Sequence, residues 1–193
     1  MARPASLSGF PEWLPAQRIV EQHVLDTLRR TFELWGLSSI ETRAVEPLEQ
    51  LLAKGEVEKE VYLLRRLHAD PSESADDGRQ LGLHFDLTVP LARYVLENAG
   101  QLQFPFRRYQ IQKVWRGERP QEGRYREFTQ ADVDVIGNRE LPFHHEVELP
   151  LVVADALSAL RSIGLDLNFS NQPIKPSGVN DCLGSRRVGL PRH

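Results

Sequence analysis

The chain has 193 residues, 40% of them apolar and 26% charged, with a formal net charge of −3. Such a balance excludes a disordered chain and a general nucleic-acid coat, and it fits one globular domain or slightly more. No apolar run approaches the ~18 residues a membrane span needs. The opening MARPASLSGFPEWLP has no apolar stretch of the kind a secretory signal carries, and a single cysteine, Cys182, permits no internal disulfide and fits a reducing cytoplasm.

Residues 1–14 read as an irregular lead-in. Pro15 suits a first helical position, and Ile19, Val20, Val24, Leu28 and Phe32 recur at helical spacing up to Gly36. Ser39–Glu46 reads as a strand stopped by Pro47, and Leu48–Lys54 as a short helix. Val61–Leu67 and Leu81–Phe85 read as strands separated by the acidic, turn-rich ADPSESADDGRQ. Pro90 opens a helix through Leu96 that ends near Gly100. Phe106–Gly117 and Arg126–Ile136 carry the strongest strand patterns, joined by ERPQEGRY. Leu141–Ile163 is helical, with Pro150 expected to kink or split it. Leu165–Ser170 reads as a last short strand. The class is therefore α+β, an antiparallel sheet flanked by helices over 1–164, followed by a poorly ordered tail over 165–193.

The two long strands differ in their faces, because side chains alternate along a strand. Glu127, Thr129, Ala131, Val133 and Val135 share one face of the second strand, and Phe128, Gln130, Asp132 and Asp134 share the other. On the first strand Tyr109, Ile111 and Trp115 oppose Arg108, Gln110, Gln112, Val114 and Arg116. Alternation alone favours a solvated polar face. Two features point instead to a site for a charged, planar ligand: Phe128 among polar neighbours, and Glu118, Arg119, Glu122, Arg124 and Arg126 in the connection beside Arg116. Seven basic residues against two acids between Phe106 and Arg126 make that stretch locally positive in an acidic chain, as an anion site requires.

No other phosphate device is present: there is no G-x-x-x-x-G-K-[ST] and no G-x-G-x-x-G. Cys182 stands alone, so no zinc spacing exists. The neighbours His144 and His145 lie in a predicted helix, where adjacent side chains do not converge on one ion.

The segment FRRYQIQKVWRGERPQEGRYREFTQADVDVIG resembles motif 2 of class II aminoacyl-tRNA synthetases, and its details are similar to the histidyl family. LGLHFDLTVPLARYV resembles that family's histidine-contacting segment, and the helix from Pro15 with the strand ending at Pro47 resembles the dimer-forming motif 1. The resemblance runs from about Leu7 to Leu160. It implies ATP-dependent activation of histidine and transfer to tRNA, with Mg2+ accompanying ATP. By this likeness Arg116 would be catalytic, holding the α-phosphate and the amino-acid carboxylate. Glu118 would accept from the adenine amino group, Phe128 would stack on the ring, and Arg124 would meet the terminal phosphates. Asp86, Thr88, Gln130 and Asp134, with Arg116, would hold histidine.

Each assignment has a plainer rival. Asp86 and Thr88 precede a helix and fit caps, while Arg107, Arg108, Arg119 and Arg126 fit ordinary solvated charges. The given sequence holds no counterpart of the family's third motif, of its R-G-L-D-Y-Y segment or of its anticodon-binding domain. Pro173 and Pro176 interrupt the helix expected near the end. The expectation is a truncated, inactive ligase that associates with itself or with a complete synthetase in the cytoplasm. The alternatives are a synthetase-like regulatory subunit of ATP phosphoribosyltransferase and a non-catalytic dimerising module.

Overall fold

The computed structural model describes residues 5–53, 55, 59–65, 67, 80–121 and 123–165. The acidic loop, the strand expected beyond Leu165 and the tail lie outside the described residues. The elements in order are α1 (Pro15–Leu34), β1 (Ser38–Ser39), β2 (Val45–Pro47), α2 (Leu48–Leu52), β3 (Leu63–Leu64), β4 (Leu81–Leu83), α3 (Thr88–Asn98), β5 (Phe106–Trp115), β6 (Glu127–Ile136) and α4 (His144–Ser162). They belong to two compact units. One comprises Met1–Glu12, Thr42–Ala99 and Gln112–Thr129, and the other Trp13–Glu41, Gly100–Ile111 and Gln130–His193. Both long strands run through both units. β5 and β6 are neighbours in a three-stranded sheet, and β1 adds to β5 in parallel, Ser38 opposite Arg108. The α+β expectation holds, with that one parallel edge added to the antiparallel pairing.

In the first unit β4 is the centre of a small antiparallel sheet, with Glu46 opposite Gly82 on one side and Leu63 opposite Gly82 on the other. Gly82 is required there by close approach: a Cβ would lie 2.9 Å from both Leu51 Cδ1 and Val61 Cγ1 and 3.1 Å from the Tyr62 carbonyl. Glu46, 0% exposed, accepts from Arg93 of α3 at 2.8 and 3.1 Å and from Arg43 at 2.9 and 3.1 Å. A buried carboxylate persists only when paired in this way.

The expected strand Ser39–Glu46 is in fact β1 and β2, members of different sheets. Between them, buried Thr42 is served by a side chain rather than a ladder. Its N–H donates to Gln112 Oε1 at 3.3 Å, and its carbonyl accepts from Gln112 Nε2 at 2.7 Å. Paired backbone without a strand partner satisfies the same requirement by other means. The strands expected over Val61–Leu67 and Leu81–Phe85 shrink to two and three residues.

The second unit packs α1 against α4 and the β5–β6 face. Leu28, Phe32, Leu37, Tyr109, Ala131, Val133, Val152, Ala156 and Leu160 form its core, so Tyr109, Ala131 and Val133 lie on the apolar face read from alternation. Leu14, which has no side-chain acceptor, precedes α1; the Gln17 side chain reaches back to its N–H at 3.1 Å. Tyr109 donates to Glu33 at 2.8 Å and the Trp35 indole to Asp155 at 2.9 Å. Pro150 neither splits nor ends α4, which runs unbroken from His144 to Ser162. Among the described residues no helix is long and apolar enough to cross a membrane.

Candidate nucleotide and amino-acid site

Arg116 follows directly on β5. Its backbone N–H donates to the Arg126 carbonyl at 2.8 Å, closing the connection between the two long strands. Its Nε donates to the Phe85 carbonyl at 3.1 Å, and its guanidinium carbon lies 4.9 Å from the centre of the Phe128 ring. A backbone acceptor at one edge and an aromatic face beneath fix the plane of the fork, the arrangement a bidentate anion receptor needs.

Beyond Arg116 the connection turns on Gly123, and Gln121 and Arg124 exchange backbone hydrogen bonds of 3.0 and 3.2 Å. Glu118 and Arg124, both assigned to nucleotide by the resemblance, pair with each other at 3.0 Å. Arg119 is exposed, as expected. Arg126 is not an ordinary surface charge: its Nε donates to the Glu118 carbonyl at 3.0 Å and its Nη1 reaches the Ser8 carbonyl at 3.5 Å. The lead-in is thereby strapped to this loop.

Asp86 Oδ1 accepts the Thr88 N–H at 2.8 Å at the start of α3. Leu87, not Asp86 or Thr88, stands at the cap position, and α3 begins at Thr88 rather than at Pro90, so the cap reading fails even though Asp86 accepts the first helical N–H. Two residues before Asp86, His84 is 0% exposed. Its Nε2 donates to the Lys113 carbonyl at 2.7 Å, and its ring stacks on Trp115 with centres 5.5 Å apart. Burial lowers the imidazole pKa below its ordinary 6.5, against the raising effect of the Lys113 carbonyl, so the ring is neutral with its proton on Nε2. Trp115 in turn donates to Glu127 at 2.9 Å, and Lys113 pairs with the same carboxylate. Burial acts to raise Glu127, but these two donors bring it below its usual value.

Six predicted residues, Arg116, Glu118, Arg124, Phe128, Asp86 and Thr88, thus belong to the first unit. Gln130 and Asp134 belong to the second. There the polar strand face does not meet water, contrary to what alternation alone favours: Arg108, Gln110, Gln130 and Asp132 are all buried. Gln130 Nε2 donates to both Asp132 oxygens at 3.0 Å, and Arg108 pairs with Asp134. Arg107 is likewise not a solvated charge. It grips Glu148 with two bonds of 2.6 and 2.7 Å and the Trp35 carbonyl with a third of 2.7 Å. His145 Nδ1 stands 3.3 Å from the same carboxylate, which accounts for one of the paired histidines. Sequence reasoning missed His84, Arg108 and Asp132. Arg108 and Asp132 had one signal, their place on the polar strand face; His84 had none, because a lone histidine before an Asp carries no pattern.

The fold is the catalytic core of a class II aminoacyl-tRNA synthetase, present in part. It overlays the histidyl-tRNA synthetase of Nostoc sp. PCC 7120 with a TM-score of 0.68 and 39% identity, over 81% of this chain and 34% of that one. A family model for histidyl-tRNA synthetase matches residues 9–179, and the chain belongs to that family. It is 64% identical over 169 residues to the histidine–tRNA ligase of Cutibacterium acnes, covering 88% of this chain and 37% of that protein. It is 66% identical over 166 residues to the one from Bifidobacterium animalis subsp. lactis, covering 86% and 36%. The chain therefore spans little more than a third of the length of the curated relatives it matches. A Bacillus halodurans structure described as an ATP phosphoribosyltransferase regulatory subunit/histidyl-tRNA synthetase shares the fold, with a TM-score of 0.63 at 23% identity, covering 84% of this chain and 38% of that one.

Proposed function

We propose that this chain contributes the ATP- and histidine-binding part of a histidine–tRNA ligase. The reaction joins the histidine carboxylate to the α-phosphorus of ATP as the bond to pyrophosphate breaks. The 3′-terminal hydroxyl of a histidine tRNA then takes the acyl group and AMP leaves. The observation that carries this reading is Arg116, held by the Phe85 carbonyl and the Phe128 ring. A guanidinium fixed in this way neutralises charge gathering around the α-phosphate without having to reorganise at the moment of reaction. Phe128 supplies the surface for adenine. The Glu118–Arg124 pair, at a partly exposed position worth ~0–1 kcal/mol, exchanges cheaply for contacts to the adenine amino group and the terminal phosphates. By the resemblance, the histidine contacts are carried by Asp86 and Thr88 in the first unit and by Gln130 and Asp134 in the second. Mg2+ enters with ATP as part of the substrate.

Residues 1–164 act as one partial catalytic domain, and 165–193 form a tail whose sequence diverges from it. Exposed apolar side chains at the start of α1 (Trp13, Leu14, Ile19 and Val20) favour association with a second copy or with a complete synthetase in the cytoplasm. The regulatory-subunit alternative has only the shared fold behind it, whereas the relatives at 64% and 66% identity are ligases.

Calorimetry of ATP binding to the chain and to Arg116→Ala tests the site, and a loss of at least about tenfold is expected. Equal binding by the two would return the loop to a solvated surface turn. Replacing the matching stretch of the Cutibacterium acnes ligase with residues 9–165 tests the activity. A chimera that folds but cannot charge histidine tRNA would overturn the ligase reading.

A further inference from the structure

The connection between β5 and β6 is tied down by a residue that the proposed reaction does not use. Three groups of Arg126 act at once. Its carbonyl accepts the Arg116 N–H at 2.8 Å, its Nε donates to the Glu118 carbonyl at 3.0 Å, and its own N–H donates to the Gly9 carbonyl at 2.7 Å. Nη1 of the same side chain reaches the Ser8 carbonyl at 3.5 Å. The planar fork can meet carbonyls of two separate segments in fixed directions, which a lysine ammonium does not. The lead-in also has seats of its own: the Phe10 ring meets Tyr62 edge-on, centres 6.1 Å apart, and a Cβ on Gly9 would lie 3.0 Å from Pro120 Cγ. On the connection itself, the Gly117 N–H donates to the Glu60 carbonyl at 2.7 Å. All of these residues belong to the first unit.

Resting on the nucleotide reading above, we infer that Arg126 is a positioning residue through which the lead-in, Ser8–Phe10, holds Arg116 and Glu118 in their ATP-binding arrangement. Without the strap the connection samples other arrangements, and apparent affinity falls with the fraction of chains that are competent to bind. The coupling is reciprocal: ATP must hold the lead-in down by the same factor that the strap tightens ATP.

Two measurements on the full chain test this: calorimetry of ATP binding, and hydrogen exchange at the Arg126 and Glu127 amides, both of which bond the Gly9 carbonyl. Arg126→Met is expected to weaken ATP binding by about fivefold or more. Saturating ATP is expected to slow exchange at the two amides of the unsubstituted chain by a similar factor. That slowing is counted beyond any at the Leu48 N–H, which bonds the Gln80 carbonyl at 2.8 Å in the same unit. Gly9→Ala removes no charge and is expected to weaken ATP binding as well, and it stands in if Arg126→Met does not fold. Folded variants with a lowered melting temperature but unchanged ATP affinity would make the strap merely structural and overturn the inference. Exchange at the two amides that is indifferent to ATP would do the same. Weakening in Arg126→Met without any in a folded Gly9→Ala also overturns it, because Arg126 would then act only as a charge. If Arg116→Ala loses ATP while both strap variants keep it, the positioning role falls alone. Binding by Arg116→Ala equal to that of the unsubstituted chain, or no binding of millimolar ATP by the latter, overturns the nucleotide reading and the inference with it.

Discussion

Gly9 and Arg126 are bound to each other through the main chain: the Gly9 carbonyl accepts from the Arg126 N–H at 2.7 Å, and from the next N–H, of Glu127, at 3.1 Å. The contact ties the lead-in to the start of β6, one residue before Phe128. It depends on glycine for two reasons. Gly9 has a φ of +84°, and a Cβ there would lie 2.8 Å from Arg126 Cγ. Gly9→Ala is expected to destabilise the chain by about 1–3 kcal/mol, from left-handed backbone strain and the displaced side chain. Urea unfolding checks it; an unchanged midpoint would mean that the strap is not held.

Glu46→Ala leaves Arg93 and Arg43 without their shared acceptor. Arg93 is only 11% exposed, but it keeps Glu97 as a partner at 2.5 Å, and Arg43 is half exposed, so neither charge is left wholly uncompensated. The expected loss is about 1–3 kcal/mol, at or below the scale for breaking a buried pair from one side. Glu46→Ala paired with Arg93→Leu should recover part of it in the same denaturation experiment.

Arg107 sets the acid limit of the second unit. Its hydrogen bonds bring Glu148 from 4.5 down to about 2, against the effect of burial. A carboxylate depressed in the folded state gives stability that is complete above its unfolded value and is lost as pH falls from about 4.5 towards 2. Unfolding free energies measured between pH 6 and pH 3 should fall more steeply for the unsubstituted chain than for Glu148→Gln. Identical slopes would remove Glu148 from the account.

His84 acts at milder pH. Its folded pKa lies below 6.5 because burial disfavours the imidazolium. The unfolded chain therefore binds a proton near 6.5 that the folded chain refuses. Stability is full above 6.5 and declines as pH drops below it, until the folded ring itself is protonated. His84→Gln keeps an N–H for the Lys113 carbonyl and cannot titrate. Its stability should change less than that of the unsubstituted chain between pH 7.5 and pH 5.5, as read by urea midpoints.

Local patterning determined a good deal of this protein. Pro15 with apolar residues at helical spacing gave α1 over Pro15–Leu34, and alternation gave β5 and β6 with Tyr109, Ala131 and Val133 on the core side. The stretch from Arg116 to Asp134 was specific enough to carry the family, since its charges, glycine and aromatic recur at fixed offsets. Local information failed where a residue's partner lies far along the chain. Ser39–Glu46 alternates like one strand, yet Gln112 satisfies Thr42 and splits it. Arg107 and Arg108 look like surface charges until Glu148 and Asp134 are brought beside them. Pro150 predicts a break, and α4 instead stays continuous, its neighbours Leu149, Val152 and Val153 packed with the core against α1. Periodicity records which face a side chain takes. Whether that face is wet or dry, and whether a charge on it is solvated or paired, depends on contacts that only the tertiary structure closes.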